Sequence, residues 1–184
     1  MFQIQPQRPA DAVHLDPVLD RAFGPDRLAK ASYQFRQGVE PIQGLSLVAY
    51  DGDTLVGTIR YWPVRIGAKG TPALLLGPLA VEPVRRGEGI GVTLVTQSLA
   101  MAKLAQHRIV LLVGGLDYYG RFGFQPAAPL GLFMPREKPE RLLVSELVPG
   151  ALDGVSGELR PRKPARRRGV ESAAAAGRRS SAAM

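Results

Sequence analysis

The stretch VRRGEGIG, residues 84–91, places three glycines and two arginines between the apolar run PALLLGPLAV and the helix-like segment IGVTLVTQSLAMAKL. A glycine-rich turn between the carboxyl end of a strand and the amino end of a helix gathers free backbone N–H groups into one concavity. The helix dipole adds its positive end at the same place. Arg85 and Arg86 bring further positive charge, and glycine lets a ligand approach the backbone closely. This is the chemistry of an anion site, with pyrophosphate as the natural guest. Two common phosphate motifs fail by letter: no Gly-x4-Gly-Lys-Ser/Thr string exists. A Gly-x-Gly-x-x-Gly fingerprint begun at Gly87 meets Val92, and one begun at Gly89 meets Leu94.

Other chemistries lack their residues. The absence of cysteine removes disulfide frameworks, thiolate nucleophiles and cysteine zinc sites together. His14 and His107 fall in separate helical segments, so no metal site is expected.

The elements that must position the turn can be traced along the chain. FQIQPQR alternates as a short strand, and DAVHLDPVLDRAF has helical spacing that Pro17 either tolerates or splits into two short helices. RLAKASYQFRQG reads as a second helix ending at Gly38. Two β-rich runs flank Asp51-Gly52, a hairpin signal. PALLLGPLAV is a strand that Gly77-Pro78 should bend, leaving backbone groups near Leu79 unpaired. The helix after the turn shows Ile90, Leu94, Val95, Met101, Ala102 and Ala105 on one side, and IVLLVGG follows as a buried strand. Strand, turn, helix and strand make a βαβ unit with a right-handed crossover. DYYGRFGF is expected to form a short helix leading into a strand, and LGLFMP with RLLVSELVPGAL a closing pair of strands.

The spacing Arg86-x-x-Gly89-x-Gly91 after LAVEP resembles motif A of the GNAT superfamily of acyl-CoA-dependent N-acetyltransferases. Tyr119-x-x-x-Gly123-Phe124 is similar to that superfamily's Tyr-x-x-x-Gly-Phe segment. GPLAV, LLVGG and YYGRFGF most resemble a bacterial subgroup of predicted N-acetyltransferases, and the resemblance runs from Ile4 to about Leu147. It implies an α/β (α+β) fold: a mixed, mostly antiparallel central sheet, a βαβ cofactor-binding unit and helices on both faces. It also implies transfer of an acetyl group from acetyl-CoA to a primary amine by direct attack.

On that resemblance the pyrophosphate lies on the amides of Gly87, Glu88, Gly89, Ile90, Gly91 and Val92, beside Arg86. The pantetheine runs along Leu79, Ala80 and Val81, where a freed N–H near Leu79 or Ala80 polarises the thioester carbonyl. Tyr119 protonates the leaving thiolate, with Tyr118 as the alternative. Glu82 and Glu88 flank the site and are expected on a solvated turn. The chain departs from the family pattern in two places. ALLLGPLAV has no acidic side chain to act as base, and Gly114, Gly115 and Leu116 stand where many members place an Asn. The first departure leaves open a second reading, an acyl-CoA-binding module with little catalysis. The acceptor, a small amine or a protein amino group, is left to FGPDRLAKASYQFRQG and PLGLFMPREKPERLL, which are mixed in charge.

The net charge of +8 over 184 residues is concentrated at the end of the chain. From Glu158 to Met184 eight basic residues meet two acidic ones, and the rest carries only +2. Residues 1–158 are therefore read as the catalytic domain and 159–184 as a basic, disordered tail, through which nucleic acid contact is conceivable. No stretch has the length of a membrane span and the N-terminus lacks a signal-peptide layout, so a cytoplasmic location is expected.

Overall fold

The computed structural model describes residues 1–162. The segment 163–184 lies outside them, and with it most of the expected tail and any nucleic acid contact it would make.

Nine strands and four α-helices appear, joined by short 3-10 turns: β1 (Gln3–Pro6), α1 (Ala12–Phe23), α2 (Ala31–Gln34), β2 (Leu47–Asp51), β3 (Thr54–Ile66), β4 (Thr71–Val81), α3 (Ile90–Leu104), β5 (Ile109–Val113), α4 (Leu116–Tyr119), β6 (Gln125–Pro126), β7 (Leu132–Phe133), β8 (Leu142–Glu146) and β9 (Gly157–Pro161). The main sheet runs β1-β2-β3-β4-β5-β8-β6, with β9 joining β3 and β7. Within the main sheet all neighbours are antiparallel except β4 and β5, the two strands that α3 connects. The short β7–β9 pairing is also parallel.

Strand alternation sorts the side chains into two faces. Leu47, Ala49, Leu74, Leu76, Val110 and Leu112 pack with Ile90, Leu94 and Val95 of α3. On the opposite face Val48 packs with Leu15, Val18 and Leu19 of α1. Further along, Leu75, Ile109 and Leu111 pack with Leu132, Leu142 and Leu159. Each fully buried aliphatic side chain contributes about 1.5–3 kcal/mol. Helix α3 settles close to the sheet because Gly57 has no side chain beneath it; a Cβ there would lie 3.0 Å from Ile90 Cγ2. That contact fixes the amino end of α3 against β3 and β4. On the buried side Ser98 bonds the Tyr61 hydroxyl at 2.8 Å, whereas Ala105 lies beyond the helix end and is exposed.

One open alternative is decided, and several expectations need correction. Helix α1 is one element despite Pro17, whose place on its exposed side accommodates the ring. The expected helix over residues 27–38 is broken: a 3-10 turn at Pro25–Ala29 precedes the four-residue α2, and Lys30 between them is extended. Arg27 explains the break, because its buried guanidinium turns back to Asp16 at 2.8 Å and Asp20 at 2.6 Å on α1. The closing strands do not pair with each other: β8 pairs β5 and β6, and β7 pairs β9. The boundary at residue 158 falls inside β9, where Leu159 is 0% exposed and residues 159–161 pair with Val64–Ile66. One buried leucine and a ladder on β3 outweigh the basic composition around them.

Candidate active site

The turn between β4 and α3 forms as the glycines require. Gly87 and Gly89 have φ of 91° and 82°, a region closed to most side chains, and Gly89 caps α3 without a side-chain bond. Among the described residues no N–H from Gly87 to Val92 donates to a backbone carbonyl, and no acidic residue stands in the first turn of α3. Six donors are therefore left without a backbone acceptor at the positive end of a 15-residue helix.

Beside this cradle β4 opens away from β5. The two strands pair only at Leu74–Leu76 with Val110–Leu112, while β4 stays paired to β3 through Val81. Among the described residues, the edge of β4 that faces β5 has no strand partner from Gly77 to Val81. The register with β3 shifts between Ile59 and Tyr61, opposite Gly77-Pro78, and the Trp62 indole N–H donates to the Gly77 carbonyl at 2.6 Å. The bend expected at Gly77-Pro78 is thus present, and it frees backbone groups beside Leu79.

A cleft of about 470 Å3 joins the two features. Leu79, Ala80, Val81, Arg86, Gly87, Gly89, Ile90, Gly91 and Val92 all line it, nine of the ten residues expected around a cofactor. The tenth, Glu88, does not: its carboxylate accepts from Arg85 Nε at 2.6 Å, which leaves only its backbone amide for a ligand. Arg85 also reaches Asp51 at 2.9 Å, so its charge is tied to two carboxylates. Arg86 is exposed, with one long bond of 3.4 Å to the Ala22 carbonyl, and is the freer cation beside the turn. Arg121 and Tyr118 complete the wall.

Glu82 differs from expectation. It is buried and accepts bonds of 3.0, 3.0 and 2.6 Å from the Arg21 guanidinium, fastening α1 to the start of the turn. The sequence held no sign of this, because Arg21 and Glu82 are 61 residues apart.

The two tyrosines separate. Tyr118 lines the first cleft, its hydroxyl 2.8 Å from where a Cβ on Gly91 would stand. Tyr119 lines a second cavity of about 360 Å3 with Leu76, Gly77, Pro78, Leu79 and Val113. Its ring packs edge-on to Tyr118 at 4.9 Å and to Phe124 at 5.9 Å. Burial pushes its hydroxyl well above the usual tyrosine value, so Tyr119 holds its proton at neutral pH. Leu79 and Phe23 line both cavities, which therefore adjoin at the bend of β4.

The second cavity brings together the two segments left open as acceptor determinants. Lys30 and Arg36 come from the first, and Arg136, Lys138 and Arg141 from the second, against the single acid Glu137. This convergence of charge is invisible in segments that look mixed when read separately. Among the described residues no group of three His, Asp or Glu side chains is placed to hold a metal, and no helix is long and apolar enough to cross a membrane.

A geometry of donor cradle, open strand edge and two adjoining cavities beside a protonated tyrosine suits transfer of a group from a phosphate-bearing carrier. Comparison with known proteins agrees. Residues 4–127 match the family model described as an acetyltransferase (GNAT) domain. The uncharacterized N-acetyltransferase YhbS of Escherichia coli is 31% identical over 156 residues, covering 84% of this chain and 92% of that one. The crystal structure of YhbS in complex with CoA superposes with a TM-score of 0.76 at 29% identity, over 87% of this chain and 89% of that chain. A GNAT family acetyltransferase from Brucella melitensis, solved in complex with acetyl-CoA, gives 0.66 at 29% identity, over 87% and 95%. The chain belongs to the GNAT family of N-acetyltransferases.

Proposed function

We propose that the protein transfers the acetyl group of acetyl-CoA to a primary amine by direct attack. The observation that carries this reading is the continuity of the unfilled N–H donors of residues 87–92 with the open edge of β4 in one cleft. The donors and Arg86 fit a pyrophosphate, and the edge at Leu79, Ala80 and Val81 fits the amide groups of a pantetheine arm. Acetyl-CoA supplies the activated acyl group as a thioester.

The residues divide the work as follows. A backbone N–H freed beside Leu79 or Ala80 donates to the carbonyl oxygen of the thioester as negative charge develops there. The amine enters through the second cavity, and its nitrogen lone pair forms the new C–N bond while the C–S bond breaks. Tyr119 gives its proton to the departing sulfur, and the proton that the attacking nitrogen sheds returns through solvent to the tyrosine oxygen, so an amide and a free thiol result. Strand β4 offers no carboxylate for that last proton. The cationic lining of the second cavity favours a neutral amine over an ammonium ion, which reduces the need for one.

The test is release of free CoA thiol from acetyl-CoA across a panel of amines, with wild-type protein and Tyr119→Phe. Turnover with at least one amine, reduced about 10²-fold or more in the variant, is expected. Binding of acetyl-CoA without turnover on any amine would instead identify a binding module.

A further inference from the structure

Two arginines are buried near the bend of β4, both against the ring of Tyr33, and their hydrogen-bond partners differ. Arg27 is held by Asp16 and Asp20. Arg36 is 9% exposed, and its Nε and Nη1 atoms have no hydrogen-bond partner among the described residues. Its guanidinium lies against the rings of Tyr33 at 5.2 Å and Trp62 at 5.8 Å. Its Nη2 reaches Gly77, 3.0 Å from where a Cβ would stand. The charged residues that line the adjoining pocket with it do not balance it: Arg60 adds a second cation, and Asp16 is engaged by Arg27; Glu137, in the second cavity, forms no ion pair with it.

Burial pushes Arg36 down only to about 10, so it is charged at neutral pH. A buried cation with unfilled donors is unfavourable unless an anion completes it. The aromatic faces of Tyr33 and Trp62 offset part of that penalty, but they accept no hydrogen bond from Nε or Nη1. Arg36 also lines the second cavity together with Lys30, Arg136, Lys138 and Arg141.

We infer that the acceptor is a small amine that also bears an anionic group, a carboxylate or phosphate, which pairs with Arg36 while the amine faces the bend of β4 at Leu79. This rests on the acetyl-transfer reading and specifies its substrate class. The cavity of about 360 Å3 is of a size for a small molecule. An anion at Arg36 anchors one end of the acceptor, and the surrounding positive charge keeps the other end in its neutral, nucleophilic form.

The test uses matched amines that differ in the anion: phenylalanine with phenethylamine, β-alanine with propylamine, and phosphoethanolamine with ethanolamine. Three measurements run in parallel on the full chain: thiol release, calorimetry with acetyl-CoA, and fluorescence of Trp62, the single tryptophan. In at least one pair the anionic member should show kcat/KM about ten- to a hundredfold above its partner, the range of a charge-assisted bond. Arg36→Gln should abolish that preference, Arg36→Lys should keep part of it, and neither should change acetyl-CoA affinity. The pair that responds distinguishes carboxylate from phosphate.

Equal or better use of the neutral members, or a preference that survives Arg36→Gln, overturns the inference. If acetyl-CoA fails to bind, the underlying reading falls, and Trp62 fluorescence still decides: a response to the anionic members that Arg36→Gln removes upholds the anion site, and no response rejects it. If Arg36→Gln does not fold, Arg36→Lys, which keeps the charge but not the fork of donors, replaces it. A preference reduced several-fold then supports the inference, and an unchanged one overturns it.

Discussion

Tyr119 rests on the backbone of Gly114, so close that a Cβ on Gly114 would fall 2.5 Å from Tyr119 Cε2 and 2.8 Å from Cδ2. The glycine at the end of β5 is what lets the tyrosine ring reach the wall of the second cavity. Gly114→Ala should therefore displace the ring. Expected is a fall in kcat of about 10²-fold, the scale of an ångström-sized misplacement, with acetyl-CoA affinity little changed. Steady-state kinetics beside calorimetry measures both, and an unchanged kcat would separate Tyr119 from the chemistry.

The pH dependence should be one-sided. A general acid works only while protonated, and burial holds Tyr119 above the ordinary tyrosine value of about 10. The profile of kcat/KM should rise as the acceptor amine becomes neutral and show no descending limb below about pH 10. A descending limb near neutrality that disappears in Tyr119→Phe would contradict the raised value while keeping Tyr119 as the acid.

The donor cradle depends on backbone that only glycine adopts easily. Gly87→Val should weaken acetyl-CoA binding about tenfold, because a positive φ of 91° costs an L side chain about 1–2 kcal/mol and the amides would tilt to avoid it. Calorimetry reads the change, and full affinity in the variant would show that the turn does not hold the ligand.

Away from the site, Asp11 is 1% exposed and accepts from the Arg8 N–H at 2.6 Å and the Tyr50 hydroxyl at 2.9 Å. Burial opposes its charge, yet these donors and the Arg8 guanidinium outweigh burial and hold its carboxyl below the usual value. Its contribution to stability is thus present above the unfolded pKa and lost as pH falls through the folded one. Asp11→Ala should lower stability by about 1–3 kcal/mol at neutral pH. The gap should narrow below about pH 4, as followed by urea unfolding. A gap independent of pH would mean that the carboxylate charge is not what the donors stabilise.

The sequence carried the local chemistry well. The hairpin at Asp51-Gly52, the bend at Gly77-Pro78 and the turn at residues 84–91 each rest on glycine or proline at a fixed offset, and each is present. What it did not carry depends on distant partners. Arg27 breaks an expected helix because Asp16 and Asp20 draw it back to α1. Leu159 makes a strand of residues counted as tail because β3 offers an edge. Arg36 sits in YQFRQ as an ordinary basic residue, and only the packing of Tyr33 and Trp62 around it reveals a buried cation whose Nε and Nη1 have no partner among the described residues. Aromatic neighbours were visible, but burial was not.

The most direct measurement is calorimetric titration of the protein with acetyl-CoA, beside Gly89→Arg, whose side chain would stand among the donors of the turn. Binding in the micromolar range by the wild type, and its loss in a variant that still unfolds cooperatively, is the expected result. No heat and no thermal shift with the wild type, or undiminished binding by a folded Gly89→Arg, would contradict the assignment of the turn as the cradle for acetyl-CoA.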